Sequence, residues 1–180
     1  AVAALAAALG YGVMNLLMAA TPLAMDVCGL PFGDVAWVLQ WHVVGMFAPG
    51  FWTGGLIRRF GVLRVMGAGV LLNLACVAVA LTGQDLHRFT GALFLLGVGW
   101  NFLFTGSTTL AMAAYRPEEK DRAQAAINFG VFATMALTSF ASGALVTTRG
   151  WSVLNLGSLP PLLALGAALL WLARRTPAPR

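Results

Sequence analysis

The stretch GGLIRRFGVLR, Gly54–Arg64, is a basic turn bracketed by glycines and set between two oily runs, Val35–Ile57 and Val65–Thr82. Arginines gathered between long apolar runs are the mark of a loop joining two membrane-crossing segments. A second break of the same kind, RPEEKDR at Arg116–Arg122, follows further along. Outward from these two turns, apolar stretches of about 20 residues, enough to cross a hydrocarbon core of about 30 Å, occur six times. They cover residues 1–25, 35–57, 65–82, 89–115, 123–147 and 152–173. None alternates polar with apolar residues as a barrel strand does. Lipid offers no partner to an unpaired backbone amide, so each stretch is expected to be a helix. The predicted fold is an all-α membrane protein, a six-transmembrane-helix bundle forming one domain over residues 1–180.

Composition agrees with that reading. Hydrophobic residues make up 59% of the chain and charged residues 9%, against about 25% charged in a soluble domain. The formal net charge of +5 does not point to nucleic acid, because the basic residues are not interleaved with aromatics on one face. The bilayer is the expected partner. Six crossings place nine basic residues on the side of the two basic turns and the C-terminus, and only Arg88 and Arg149 on the other. Cytoplasmic loops retain Lys and Arg, so both termini are expected to be cytoplasmic in a multi-pass protein of the plasma (inner) membrane. The chain opens on Ala1 with no charged leader, and is expected to be an excerpt of a longer protein.

The wording of the first turn is more specific. Gly54, Leu56, Arg59 and Gly61, followed by Arg64, resemble the G-x-L-x-D-R-x-G-R-R loop of the major facilitator superfamily, bacterial type. The family's acidic position is Arg58 here, and the two basic positions after the second glycine are Val62 and Leu63. These departures are what a degraded second copy of the loop shows. The resemblance implies the C-terminal half of a twelve-helix major facilitator fold, completed by an N-terminal six-helix half. It further implies secondary active transport of a small organic solute by alternating access. Gly54, Arg59 and Gly61 are then candidates for a gating loop. Arg58, Arg59 and Arg64 have a plainer reading as topology markers that bind lipid head groups. In the second turn, Pro117 followed by Glu118, Glu119 and Asp121 reads as a helix start that complements the N-terminal dipole.

Polar residues inside the spans are the candidates for a solute pathway, because they are costly there and turn toward a cavity or another helix. Tyr11, Asn15, Met18 and Pro22 share one face of the first span, and Asn101, Thr105 and Thr108 one face of the fourth. Gln124, Asn128, Met135, Ser139 and Ser142 form a stripe on the fifth. From these, Asn15, Gln40, His42, Asn101, Thr105 and Asn128 are taken as pathway residues. His42 lies roughly 10 Å deep in the second span, at about 1.5 Å per residue. An unperturbed pKa of about 6.5 would let it couple transport to protons; the alternative is a neutral imidazole bonded to a neighbouring helix. Pro49 is expected to kink that span.

No catalytic residue, metal site or cofactor is expected. His42 and His87 are too far apart in the topology to share a metal, and no Walker glycines with Lys-Ser/Thr are present. A passive channel or structural membrane subunit is an alternative to a carrier. An intramembrane enzyme, with Ser142 and His42 as its nearest nucleophile and base, is a third reading.

Overall fold

The computed structural model describes residues 2–175, so Ala1 and Arg180, at the ends of the expected segments, lie outside the described residues. Apolar runs that cannot leave a backbone amide bare in lipid fold here as helices. They are α1 (Val2–Val27), α2 (Phe32–Phe47), α3 (Gly50–Phe60), α4 (Val62–Leu81), α5 (Leu86–Met112), α6 (Lys120–Gly157) and α7 (Leu159–Arg175). A single 3-10 turn, Pro117–Glu119, leads into α6, as the proline and acidic residues of the second basic turn suggest.

Helix boundaries and membrane passes do not coincide at two places. Ala48 and Pro49, between α2 and α3, keep right-handed helical dihedrals. α2 and α3, at 16 and 11 residues, are therefore one kinked pass over the expected 35–57 segment. The reverse holds in α6, where Gly150 has φ 80° and ψ 173°, a conformation that residues with a Cβ rarely adopt. The fifth pass ends there. The sixth begins at Trp151, bends at Ser158 and ends with α7. The fourth expected segment is shifted: α5 starts at Leu86 because Asp85 caps it, accepting from the Arg88 amide at 3.1 Å. It stops at Met112, which leaves Tyr115 in the connector, where its hydroxyl accepts from Gln124 at 3.1 Å.

Contacts fix the directions of the passes. His42 pairs with Leu93 and Met46 with Asn101, so the second and fourth passes run parallel. Gly106 meets Met66 and Gly91 meets Val79, so α4 opposes α5. Gly12 meets Thr134 and Asn15 meets Thr138, so α1 and α6 run parallel. Gly166 lies near Val70, while the Trp151 indole donates to the Ala80 carbonyl at 3.2 Å, so the last pass opposes α4. The passes alternate through the membrane. Both basic turns fall at one end of the bundle, and Asp85, Arg88 and Arg149 at the other.

α5 is the central element, packed on α1, α2 and α4. Close approach depends on absent side chains. A Cβ on Gly97 would lie 2.5 Å from the His42 carbonyl oxygen and 2.9 Å from the Met46 nitrogen, and one on Gly45 would lie 2.7 Å from the Phe94 carbonyl oxygen. Leu93, Leu96 and Phe89 of α5 are buried with Leu17, Met25 and Val38 of α1 and α2 in the main core. By contrast Phe47, Phe51 and Trp52 on α2–α3, and Phe129, Phe132 and Phe140 on α6, stand exposed.

Gly97→Ala in the full-length protein is expected to lower the thermal unfolding midpoint in detergent, overpacking costing about 1–3 kcal/mol. Gly143→Ala, where an added Cβ meets nothing within 4 Å, is expected to hold or raise it. Equal midpoints would refute the packing role of Gly97.

Candidate functional site

The polar residues of the spans separate into three places once the helices pack. The first is a cleft of about 230 Å³ between α1, α5 and α6, at the basic end of the bundle. α1 contributes Ala7 and Tyr11; α5 contributes Phe104, Ser107, Thr108 and Ala111. Gln124, Ile127, Asn128, Val131, Phe132 and Met135 come from α6. Two amides, a phenol and two hydroxyls thus line a pocket with no charged lining residue. The lining Tyr11 and Phe104 are backed by the buried Trp100, which stacks on Phe104 with centroids 5.0 Å apart, and Tyr11 meets Trp100 and Phe104 edge-on at 5.1 and 5.7 Å.

Asn15 is outside the lining of that cleft but bonded to one of its residues, Met135. Its side-chain nitrogen lies 3.0 Å from the Met135 carbonyl oxygen, 3.0 Å from the Thr138 hydroxyl and 2.8 Å from that of Ser139. An amide has two N–H groups, so three acceptors share two protons and the donor end is saturated. Asn15 is a staple between the parallel helices α1 and α6.

The second place is the kink. Pro49 has no N–H to give. The backbone ladder of α2 ends with Ala48 donating to Val44 at 2.9 Å, and resumes with Phe51 donating to Ala48 at 3.3 Å and with Trp52 and Thr53 donating to Pro49 at 2.9 Å each. The Met46 carbonyl inside that gap accepts instead from the Asn101 side-chain amide of α5 at 2.7 Å. That bond sets the orientation of the amide, whose oxygen then accepts from the Thr53 hydroxyl at 2.7 Å. Thr53 also stands 2.7 Å from the Pro49 carbonyl oxygen, and its single proton serves one acceptor at a time. Asn101 is therefore a brace across the kink.

His42 occupies the third place, wholly buried in the α2–α5 seam. A carbonyl only accepts, so the His42 Nδ1–H donates to the Leu93 carbonyl at 2.7 Å. Of the remaining expected residues, only Asn128 lines the cleft. Thr105 is outside it, its carbonyl taken by the Thr109 hydroxyl at 2.8 Å, and Gln40 is exposed on α2. In the basic turn Gly61, with φ 88°, both ends α3 and starts α4. Arg59 lies over the Phe60 ring at 5.2 Å. A Cβ on Gly54 would meet nothing within 4 Å, so that glycine serves no close approach among the described residues.

Ser107 and Thr53 escape a reading by residue type. Ser107 is signalled by its helical spacing from Phe104 and Ala111, and Thr53 by its place four residues after a proline, where a hydroxyl turns back to the preceding turn.

Six alternating passes with a neutral cleft at the basic end match one lineage in sequence as well, since the model of the Major Facilitator Superfamily covers residues 3–180. The chain belongs to the major facilitator superfamily. It is similar to the riboflavin transporter RfnT of Brucella anthropi, with 41% identity over 145 residues, or 81% of this chain and 36% of RfnT. The uncharacterized MFS-type transporter YddS of Bacillus subtilis is 27% identical over 165 residues, 91% of this chain and 38% of that protein. The methylenomycin A resistance protein of Bacillus subtilis is 31% identical over 181 residues, 95% of this chain and 35% of its own length. The chain thus spans little more than a third of these major facilitator relatives. No solved structure matches it. It is a multi-pass membrane protein of a transporter family, with the all-α architecture of a major facilitator half.

Asn101→Leu is expected to cost about 1–3 kcal/mol by stranding the Met46 carbonyl, while the Thr53 hydroxyl keeps the Pro49 carbonyl as its acceptor. Thr53→Val is expected to cost less, because Asn101 keeps its bond to Met46. Unfolding midpoints of the full-length protein in detergent give the ranking, and the reverse order would refute the brace.

Proposed function

We propose that this chain is the C-terminal half of a secondary transporter that carries a small, neutral, polar aromatic solute by alternating access. The observation that carries the reading is the cleft itself. Tyr11, Gln124 and Asn128 offer hydrogen bonds beside a stacked Trp100–Phe104 pair, and no ionic group competes for the solute. Planar heteroaromatic molecules with amide-like edges suit such walls, because a ring can stack while its edge is held by amides. Similarity to a protein named as a riboflavin transporter makes riboflavin the first solute to test. The exposed aromatic faces of α2–α3 and α6 suit burial against an N-terminal six-helix half, and the solute would bind between the halves. Asn15 and Asn101 are engaged by neighbouring helices and do not line the cleft, which supports Asn128, Tyr11 and Gln124 as the solute contacts. In this reading His42 is a neutral strut of the α2–α5 seam and not a proton carrier.

Full-length protein in proteoliposomes is expected to show saturable uptake of labelled riboflavin that is accelerated by unlabelled solute on the far side. Tyr11→Phe and Asn128→Ala each raise KM, by up to roughly tenfold for one lost hydrogen bond. Thr148→Val at the opposite, exposed end of α6 leaves KM alone, and His42→Gln keeps the pH profile. Flux without saturation or counterflow would make the protein a passive channel.

The orientation we infer has both termini in the cytoplasm of the plasma (inner) membrane, supported by the bias of nine basic residues against two. Cys28 is exposed in the α1–α2 connector and Cys76 is buried. A membrane-impermeant maleimide is expected to label intact spheroplasts at Cys28, with the signal lost in Cys28→Ala. Labelling that requires lysis would invert the topology.

A further inference from the structure

A second, apolar cavity is larger than the cleft: a groove of about 680 Å³ between α4 and α7, which shares no lining residue with it. Small residues, Gly67 and Ala68 from α4 and Gly166 and Ala167 from α7, line it together with the buried Val70, Leu162 and Leu169. Leu71 and Leu163 stand exposed along its walls. The groove runs along α4 from Arg64 to Leu74. Ten residues at about 1.5 Å each make it about 15 Å long, half of a hydrocarbon core of about 30 Å. Its length is that of one leaflet.

Charge gives the groove a direction. Arg64 is its only charged lining residue, and α7 runs antiparallel to α4, so Arg174 and Arg175 in its last turn fall at the same end. Arg175 lies over the Trp171 ring at 4.2 Å, the aromatic and cationic pairing of a membrane interface. No carboxylate pairs with these arginines among the described residues, the one ion pair being Arg88–Asp85 at the opposite end. Glu118, Glu119 and Asp121 lie on the separate α5–α6 connector and the start of α6.

We propose that the α4–α7 groove is a binding site for one anionic phospholipid of the leaflet at the basic end. An acyl chain lies in the groove between Gly67 and Gly166 and the phosphate sits on Arg64, with Arg174 and Arg175 beside it. Such a lipid fills a slot that side chains leave open and neutralises a cluster that no carboxylate pairs among the described residues.

Native mass spectrometry of the full-length protein tests this, with delipidated protein offered dioleoyl phosphatidylglycerol or dioleoyl phosphatidylcholine. The expected result is one retained phosphatidylglycerol per protein, in preference to phosphatidylcholine. Arg64→Gln lowers that occupancy about fivefold, the effect of one basic residue at a membrane surface, and Arg64→Lys restores most of it. Ala167→Trp, which fills the groove, abolishes retention while the unfolding midpoint shows that the variant is folded. Equal retention of the two lipids, or unchanged occupancy in Arg64→Gln or Ala167→Trp, would overturn the proposal. So would a dimer that dissociates on Ala167→Trp, which would make the groove a contact between two copies.

Discussion

Hydrocarbon accepts and donates no hydrogen bonds, so every backbone carbonyl within it must find a partner inside the protein. That requirement makes each apolar run a helix, and it also explains where the polar side chains go. When Pro49 opens the ladder of the second pass, the repair comes from another helix, through Asn101 to the Met46 carbonyl. The same two helices meet through Gly45 and Gly97 without intervening side chains, and His42 bonds across that seam to Leu93. Proline, glycine, asparagine and histidine are thus parts of one solution to one problem. The kink can exist because α5 is close enough to satisfy what the kink releases.

Three asparagines of the same chemistry meet three different fates. Asn15 ties two parallel helices, Asn101 repairs a kink, and Asn128 lines a cleft. Their placement on polar stripes is legible in the sequence, because helical periodicity follows from 3.6 residues per turn. Their partners are not, because a stripe shows that a residue faces inward and not whether a wall or a space lies opposite. Asn101 could be assigned only once Thr53 and Met46 were known to stand across from it. The cleft was legible in part for the same reason: Tyr11, Thr108 and Gln124 belong to the stripes, while Ser107 becomes a lining residue only through the packing of α1 and α6 on α5.

The larger outline was more readable. Length of the apolar runs and the place of the arginines mark six crossings and two sides, since both follow from solvation and need no tertiary contact. Errors of outline come where one residue changes the path. Asp85 does so by taking the Arg88 amide, which starts α5 three residues ahead of the expected position, whereas the turn at Gly150 falls between the expected fifth and sixth segments. Asn73, a polar residue in the middle of the third run, is wholly buried beside Gly99, with an α-helix unbroken on both sides.

Gly61 and Gly150 are the two one-residue turns of the bundle, and they lie at opposite faces of the membrane. Adjacent Cα atoms are only about 3.8 Å apart, so each acts as the spine of a book. The second and third passes are bound together by the chain at the basic end, and the fifth and sixth at the far end. At the basic end the sixth pass rests instead on the first and third, through Leu165 and Leu169 against Ala6, Met66 and Val70. Connection length thus decides, on each side of the membrane, which neighbouring passes the chain itself holds together.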